Sequence, residues 1–265
     1  MAEHHARYHA CGLQEVPVHD DWLTPPEAER INGFRYPKRR TETRLSRWTA
    51  KHTVALALDV PTVPPALRSI SIRNAADGAP EAFVRDGPAP VSISMTDRAD
   101  WSVCVVADAS VGIGCDLELV ETRSSAFVTD YFTSAERRAV AAEPLRHDVL
   151  ANAIWSAKES ALKVLRTGLR RDTRSVEVRL APLVEGAWAA LEARTEEGVV
   201  FPGWWRRFDE FLLTCAATAP ITPPASLVEP PPLDRAVPAH AWMQQMGSIP
   251  AEAAEGSGSG RRLDH

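Results

Sequence analysis

Carboxylates that could bind a metal ion occur close together in one short segment of this sequence. Residues 111–120 (Val-Gly-Ile-Gly-Cys-Asp-Leu-Glu-Leu-Val) alternate between apolar and polar or small side chains, which predicts a strand with one buried face. Asp116 and Glu118 share the other face at a spacing of roughly 6–7 Å, so they could share one hard cation. The apolar face would hold Val111, Ile113, Cys115, Leu117 and Leu119.

A second segment, residues 155–163 (Trp-Ser-Ala-Lys-Glu-Ser-Ala-Leu-Lys), adds a third carboxylate and a cation. It predicts a helix in which Glu159 and Lys163, four residues apart, lie on one face. Together the two segments contain the groups from which a metal–phosphate site can be built. Taken singly, each also has an ordinary structural explanation: a solvated strand face, an exposed ion pair on a helix, or, for Trp155, core packing.

The elements around these segments predict an α+β protein, because strands follow one another instead of alternating strictly with helices. Each half of the chain is interpreted as a helix with an antiparallel sheet, and residues 1–30 as irregular. A capping box from Thr133 to Glu136 opens one of the helices. Helices are expected over about 41–58, 133–143 and 147–167, and strands over 69–73, 90–95, 101–107, 111–120, 175–180, 188–194 and 211–218.

The domain boundaries follow from these elements and from a change in composition. We expect an N-terminal lobe over residues 1–110 and a C-terminal lobe, with both acidic segments, over residues 111–219. Residues 220–265 are rich in proline and end in a Gly-Ser repeat. Such a segment cannot bury enough apolar surface to offset its ordering entropy, so a disordered tail is expected.

Composition and charge favour an ordinary soluble protein. The 265 residues are 45% hydrophobic and 25% charged, and the formal net charge of -5 argues against a general nucleic-acid binder. No apolar stretch is long enough to span a bilayer and no signal peptide is recognised, so a cytoplasmic location is expected. The cysteines are scattered and predict buried thiols instead of a disulfide frame or a zinc site: Cys11, Cys104, Cys115 and Cys215.

Common catalytic fingerprints are missing from the sequence. There is no P-loop, no Ser–His–Asp signature and no dinucleotide motif, since Gly112-Ile-Gly114 lacks the third glycine. Residues 35–51, in contrast, hold seven basic side chains against one glutamate. This basic run is interpreted either as a solvated helix face or as a clamp for a phosphorylated nucleotide end.

The order and content of these segments resemble the 4′-phosphopantetheinyl transferase superfamily, specifically its surfactin-type (Sfp-like) branch. Residues 112–118 and 155–163 are similar to the family's acidic strand and its Trp-Ser-x-Lys-Glu helix. Weaker similarities are the aromatic pair before the capping box (131–136), the basic N-terminal helix (38–51) and a Gly-x-Pro turn (77–80). The resemblance covers roughly residues 30–218.

The resemblance implies two similar lobes that form a pseudo-dimer, with coenzyme A in the cleft between them and the junction near residues 109–110. It implies Mg²⁺-dependent transfer of 4′-phosphopantetheine from coenzyme A to a serine of an acyl or peptidyl carrier protein, with release of 3′,5′-ADP. The carrier would belong to a fatty-acid, polyketide or nonribosomal-peptide synthase and would dock near residues 127–132. The enzyme would be a monomer that binds neither nucleic acid nor membrane, and secondary metabolism is the expected setting.

Roles for single residues also follow from the resemblance. Asp116, Glu118 and Glu159 would hold the metal ion, and Glu159, or a water that it orients, would take the proton of the carrier serine. The coenzyme A phosphates would be bound by the basic residues and one serine, namely Arg39, Arg40, Arg47, Lys158, Lys163 and Ser94. Lys158 and Lys163 cannot point the same way, being five residues apart on a helix, and Lys163 shares the face of Glu159.

One position departs from the family pattern. The family usually has Ser-His in the strand before the acidic segment, and its histidine contacts a coenzyme A phosphate, whereas here Ser94 is followed by Met95. A hydrogen bond to a charged group is worth roughly 1.5–3 kcal/mol, so weaker coenzyme A binding or slower turnover is expected. Two alternatives therefore stay open: a non-catalytic coenzyme A-binding module, and a metal-dependent phosphoester hydrolase that uses water in place of serine.

Overall fold

The computed structural model describes residues 4–167 and 170–239. Its helices and almost entirely antiparallel strands confirm the predicted α+β class. The first part of the chain forms β1 (Arg7–Gly12), α1 (Pro25–Asn32), α2 (Pro37–Ala57), α3 (Pro64–Leu67), β2 (Ile70–Asn74), β3 (Pro80–Val84), β4 (Gly87–Pro88), β5 (Val91–Arg98) and β6 (Trp101–Asp108).

The second part begins with the strand that carries the acidic segment. Its elements are β7 (Ile113–Leu119), α4 (Ser125–Tyr131), α5 (Ser134–Ala142), α6 (His147–Val164), β8 (Val176–Leu180), β9 (Ala189–Thr195), β10 (Val200–Phe208), β11 (Phe211–Ala217) and β12 (Ala225–Ser226). All predicted helices and strands are present within a few residues, whereas β1, β10 and several short elements were not predicted. Within the described ranges, no helix has the length and apolar character needed to cross a membrane.

Two sheets and two long helices form the layers of the molecule. The sheets have the strand orders β12-β1-β6-β5 and β7-β11-β10-β9-β8, and a small third sheet contains β2-β3-β4. One buried cluster lies between the two larger sheets, a second lies under α2 and a third under α6. Strands β6 and β11 contribute alternate residues to two of these clusters, as expected of strands covered on both faces. The acidic strand β7 places its predicted apolar face in the central cluster, and the four cysteines are buried free thiols as expected.

Strands β5 and β7, each at the edge of its own sheet, are joined by side chains. The Ser94 hydroxyl accepts a hydrogen bond from the backbone N–H of Cys115 at 2.9 Å, and the Thr96 hydroxyl accepts one from Leu117 at 3.1 Å. These bonds satisfy backbone donors that an edge strand would otherwise leave open. They also fix the acidic strand against the first half of the chain.

Each half of the chain contains an ion pair between a fully buried lysine and a buried glutamate. Lys51 Nζ lies 2.6 Å from Glu27 Oε2 in the first half, and Lys158 Nζ lies 2.9 Å from Glu136 Oε2 in the second. Each lysine is the fourth residue of a Trp-(Thr/Ser)-Ala-Lys run, on α2 or α6.

The two glutamates of these pairs have equivalent backbone partners. Each accepts the N–H of the threonine three residues earlier, which begins the short helix α1 or α5. Each also accepts an N–H from a strand, that of Ile72 in β2 or Val178 in β8. The same helix–strand arrangement is thus built twice from the same residue types.

The C-terminal segment differs from its prediction in the part that the structure describes. Residues 225–226 pair in parallel with β1, Leu233 is buried in the central cluster, and Trp101 donates its indole N–H to the carbonyl of Val237. The expectation of disorder is therefore wrong for residues 220–239: the segment buries apolar side chains against the sheet formed earlier, which offsets its ordering entropy. Residues 240–265 lie outside the described residues.

Candidate active site

The acidic site is formed where β7 packs against α6. A Cβ atom at Gly114 would lie 2.0 Å from the carbonyl oxygen of Ser160, so only glycine allows this close approach. Ser156 donates to the carbonyl of Asp116 at 3.0 Å, and Ser156 and Ser160 both hydrogen-bond with Thr214 of β11. The glycine of the strand and the serines of the helix therefore place the acidic residues of both elements side by side.

Asp116 is 7% exposed and is held from two sides. Its Oδ1 accepts hydrogen bonds from Lys163 Nζ at 2.9 Å and from the Thr96 hydroxyl at 3.2 Å. Lys163 also donates to the carbonyl of Cys115 at 2.8 Å. Lys163 thus links α6 to the acidic strand, while Thr96 links the strand to β5.

Glu118 lies further along the same face of β7, in a more basic environment. Its Oε1 accepts the indole N–H of Trp155 at 3.0 Å, and its Oε2 lies 3.2 Å from Arg123 and 3.5 Å from Arg98. Burial raises the pKa of Glu118, and Asp116 adds to this effect, whereas Arg98 and Arg123 oppose it. Trp155 therefore does more than pack in the core, which was its ordinary structural explanation: it donates a hydrogen bond to Glu118.

Glu159 and Lys163 share one face of α6, as predicted. Burial raises the pKa of Glu159 to about 7; Asp116 and Glu118 raise it further, and Lys163 opposes them. Burial also disfavours the charged form of Lys163, but Asp116, Cys115 and Glu159 together outweigh it, so the pKa of Lys163 is above its ordinary value. Burial is thus the main cause of the raised pKa values of both glutamates, and the neighbouring charges of the site modify them.

The donor set fits a hard cation in its chemistry, although it is not a preformed coordination shell. Within the described residues, no group of three or more His, Cys, Asp or Glu side chains is arranged to hold a metal ion. Three of their carboxylate oxygens are nevertheless buried without a hydrogen bond: Asp116 Oδ2, Glu159 Oε1 and Glu118 Oε2. The first two have no ion-pair contact either, whereas Glu118 Oε2 keeps its contacts with Arg98 and Arg123. Unpaired buried carboxylate oxygens are costly, and oxygen donors of this kind are what Mg²⁺ prefers.

A cleft of about 1010 Å³ lies beside the acidic cluster, between the two halves of the chain. Its walls come from residues 77–95 on one side and from residues 109–113, 163–167 and Arg170 on the other. The three carboxylates are not on its wall, whereas Lys163 is. Across the cleft, Arg166 makes ion pairs with Asp77 at 3.3 Å and Glu81 at 3.2 Å.

The predicted coenzyme A-binding residues divide into two groups. Ser94 and Lys163 line the cleft, as does Met95. Arg47 is buried, and its Nη1 lies 3.9 Å from the sulfur of Met95. Arg39 and Arg40, on the first turn of α2, do not line the cleft: Arg39 lies over the ring of Phe34, and Arg40 donates to the Phe34 carbonyl.

The predicted role of Lys158 does not fit its placement. Lys158 is fully buried, pairs with Glu136 and donates to the backbone carbonyls of Thr173 and Val176. Burial lowers its pKa, and Glu136 opposes this shift. It faces the core under α6, on the side of the helix away from Lys163, so it stabilises the fold and does not reach a substrate phosphate.

Several residues beside the site were not predicted from the sequence. Thr96, Arg98 and Arg123 contact Asp116 or Glu118 directly, and Arg166 and Arg170 line the cleft. The one available signal was the alternation of Ser94 and Thr96 in β5, which puts both hydroxyls on one face. The arginines lie in connecting segments or at a strand end, where periodicity carries no information.

The predicted docking surface is partly buried. Phe127, Tyr131 and Trp155 form a ring cluster with centroids about 5 Å apart next to Glu118. Tyr131 is 40% exposed, whereas Phe132 is 1% exposed and belongs to the core under α6. An exposed aromatic edge thus remains beside the acidic cluster.

A comparison with models of protein families agrees with the resemblance seen in the sequence motifs. Residues 112–197 match the family model of the 4′-phosphopantetheinyl transferase superfamily. The match covers less than half of the chain, but it includes Asp116, Glu118, Glu159 and Lys163. It supports the superfamily, and with it phosphopantetheinyl transfer as the class of reaction, without distinguishing the surfactin-type branch. The comparison with curated proteins gives no match.

Proposed function

We propose that this protein transfers 4′-phosphopantetheine from coenzyme A to a serine of a carrier protein, in a Mg²⁺-dependent reaction that releases 3′,5′-ADP. The observation that carries the proposal is a set of three buried carboxylate oxygens without a hydrogen bond, together with Lys163, at the edge of a cleft between the two halves. All four side chains lie in the segment that matches the superfamily.

The reaction is a substitution at phosphorus. The carrier serine oxygen forms a bond to the phosphorus next to pantetheine, and the bond from that phosphorus to the bridging oxygen breaks, so that 3′,5′-ADP leaves. The serine proton passes to a carboxylate, for which Glu159 is the proposed acceptor. Lys163 offsets negative charge on the leaving phosphate, because its side chain lies on the cleft wall.

The residues that would hold Mg²⁺ are Asp116, Glu118 and Glu159. A bound Mg²⁺ would polarise the pyrophosphate and neutralise its charge. Ser94 and Arg47 are the proposed further contacts to the phosphates. Ser94 lines the cleft, and Arg47 lies next to Met95 on the cleft wall. Arg39 and Arg40 stay as proposed contacts only for a phosphate that extends beyond the cleft, over the start of α2.

The two-lobed organisation is part of the proposal. Residues 1–110 would form one lobe and residues 111–219 the other, related as a pseudo-dimer with coenzyme A between them. The paired lysine–glutamate arrangements on α2 and α6 support this relationship. The carrier protein would dock against the exposed aromatic edge at Tyr131, close to Glu118. We also propose that the enzyme acts in the cytoplasm as a monomer on fatty-acid, polyketide or nonribosomal-peptide carriers.

The proposal is tested by following both products. Purified full-length protein is incubated with apo carrier protein, coenzyme A and Mg²⁺, and the intact carrier mass and the released 3′,5′-ADP are measured together. Equal amounts of modified carrier and nucleotide are expected. Release of nucleotide with an unmodified carrier would favour a phosphoester hydrolase, and coenzyme A binding with neither product would favour a non-catalytic binding module.

A further inference from the structure

The side chain of Arg123 connects three elements at the edge of the acidic site. It lies between β7 and α4 in the chain and is 17% exposed. Its Nε donates to the amide oxygen of Asn152 on α6 at 2.7 Å, and its Nη2 lies 3.2 Å from Glu118 Oε2 on β7. The same guanidinium group lies 4.8 Å from the centre of the Phe127 ring on α4. A rigid, planar fork that is held at several points keeps one orientation.

The amide group that orients Arg123 is itself fixed. Asn152 is fully buried, and its amide nitrogen donates to the backbone carbonyls of Glu121 and Asp148 at 2.6 and 2.8 Å. Both hydrogens of the amide are therefore used, which leaves its oxygen facing Arg123.

Two side chains of α6 control the two oxygens of Glu118. Asn152, Trp155 and Glu159 follow one another at spacings of three and four residues, so they share one face of the helix. Trp155 donates to Glu118 Oε1, and Asn152 acts on Oε2 through Arg123. The carboxylate of Glu118 cannot rotate without breaking one of these contacts.

Arg98 also approaches Glu118, but its contact is weaker. The distance to Glu118 Oε2 is 3.5 Å, the side chain is 38% exposed, and its shorter ion pair, at 2.7 Å, is with Glu121. Exposed ion pairs contribute little. Arg123 is therefore the arginine that holds Glu118.

We propose that Arg123, oriented by Asn152, and Trp155 are positioning residues that hold Glu118 in the conformation in which it binds the metal ion. This inference rests on the proposed function, in which Glu118 is a metal ligand. Groups that orient a ligand without touching the ion typically change metal affinity by about 10–100-fold. None of the three residues is on the cleft wall, so they should affect the metal ion and not coenzyme A.

Titration of the full-length protein with Mn²⁺ measures metal affinity without turnover, with the free ion followed by electron paramagnetic resonance. Mn²⁺ takes the same carboxylate ligands as Mg²⁺. Coenzyme A is left out, because its pyrophosphate binds the ion too. Arg123→Gln and Trp155→Phe are each expected to weaken Mn²⁺ binding about tenfold or more.

Each of these variants has a matched control in the same protein. Arg171 is 24% exposed and also bridges two partners, Ser175 and Glu197, outside the acidic site. Trp204 on β10 also donates its indole N–H, to the carbonyl of Ile221. Arg171→Gln and Trp204→Phe should therefore bind Mn²⁺ as tightly as the wild type, whatever their effect on the urea unfolding midpoint.

A lysine at position 123 separates positioning from charge. Arg123→Lys keeps the charge but cannot bridge Asn152 and Glu118, so its Mn²⁺ affinity should stay as low as that of Arg123→Gln. Asn152→Ala should weaken binding in the wild type and add little in Arg123→Gln, because it acts through Arg123. In all these variants the KM for coenzyme A should be unchanged.

The proposal is overturned if Arg123→Gln or Trp155→Phe binds Mn²⁺ as tightly as its control, if Arg123→Lys restores the wild-type affinity, or if the effects of Asn152→Ala and Arg123→Gln are fully additive. Asp116→Asn distinguishes this failure from failure of the proposed function. Unchanged Mn²⁺ binding by Asp116→Asn, or no binding by the wild type, would refute the metal site itself. Loss of binding in Asp116→Asn, together with wild-type binding by Arg123→Gln, would refute only the positioning role.

Discussion

Replacing Lys158 by methionine should destabilise the fold without weakening coenzyme A binding. In the wild type, the ammonium group pairs with Glu136 at 2.9 Å and donates to two backbone carbonyls, those of Thr173 and Val176. Methionine fills similar space but leaves the Glu136 carboxylate, 1% exposed, without a counter-charge. Removing one partner of a buried pair costs about 3–5 kcal/mol.

The size of this loss can be measured by urea unfolding of the wild type, Lys158→Met and the double variant Lys158→Met/Glu136→Leu. The double variant should recover most of the loss, because it removes the stranded carboxylate as well as the lysine. Arg138→Met, an exposed change on α5, is the control and should alter stability by less than about 0.5 kcal/mol. Lys51→Met, in the equivalent pair on α2, should lose a similar amount to Lys158→Met.

The same variant distinguishes a structural role from a substrate-binding role. Under conditions in which the variant is folded, Lys158→Met should have the same KM for coenzyme A as the wild type. A stability loss below about 1 kcal/mol together with a raised KM would refute the structural reasoning, and would return Lys158 to the phosphate-binding set.

Three further predictions concern backbone packing, pH and the cleft. Gly114→Ala should cost about 1–3 kcal/mol in urea unfolding, whereas Gly87→Ala, whose Cβ meets only ordinary contacts, should cost far less; equal costs would contradict the close β7–α6 approach. Burial lowers the pKa of His9 to about 4, so protons favour the unfolded state, and stability should fall by about 2 kcal/mol from pH 7 to pH 5. This fall should be largely absent in His9→Gln, and an unchanged fall in that variant would exclude His9 as its source. Met95→His should tighten coenzyme A binding about tenfold by calorimetry; unchanged affinity would mean that Arg47 already supplies the missing contact.

Local patterns in the sequence were sufficient to predict where the acidic residues lie in the fold. Alternation in residues 111–120 gives the two faces of β7, and four-residue spacing puts Glu159 with Lys163 on α6. These are short-range periodicities, and they are visible in the sequence because one face of each element is buried. The opposite placement of Lys158 follows from the same helical geometry, and its run Trp-Ser-Ala-Lys repeats Trp-Thr-Ala-Lys at Lys51. That internal repeat is the signal by which the structural role of Lys158 could have been predicted.

Elements that depend on distant partners could not be predicted in this way. Strand β10 contains Pro202 and Gly203, two residue types that normally argue against a strand. Glycine is required at position 203 because a Cβ atom there would lie 1.9 Å from the carbonyl oxygen of Cys215 on the neighbouring strand β11. The proline-rich segment 220–239 is ordered by pairing with β1, more than 200 residues earlier in the chain. The cavity between α1, α2 and the β2–β3 hairpin likewise combines distant segments, and no local pattern connects them.

The intact mass of an apo carrier protein, after incubation with this protein, coenzyme A and Mg²⁺, tests the central claim most directly. A gain of one phosphopantetheine is expected with the wild type, and no gain when the carrier serine is replaced by alanine. Asp116→Asn should abolish the gain while keeping the fold, because it removes the charge that Lys163 and the proposed cation require. An unmodified carrier with every divalent cation tried, or full modification by Asp116→Asn, would contradict the proposed site.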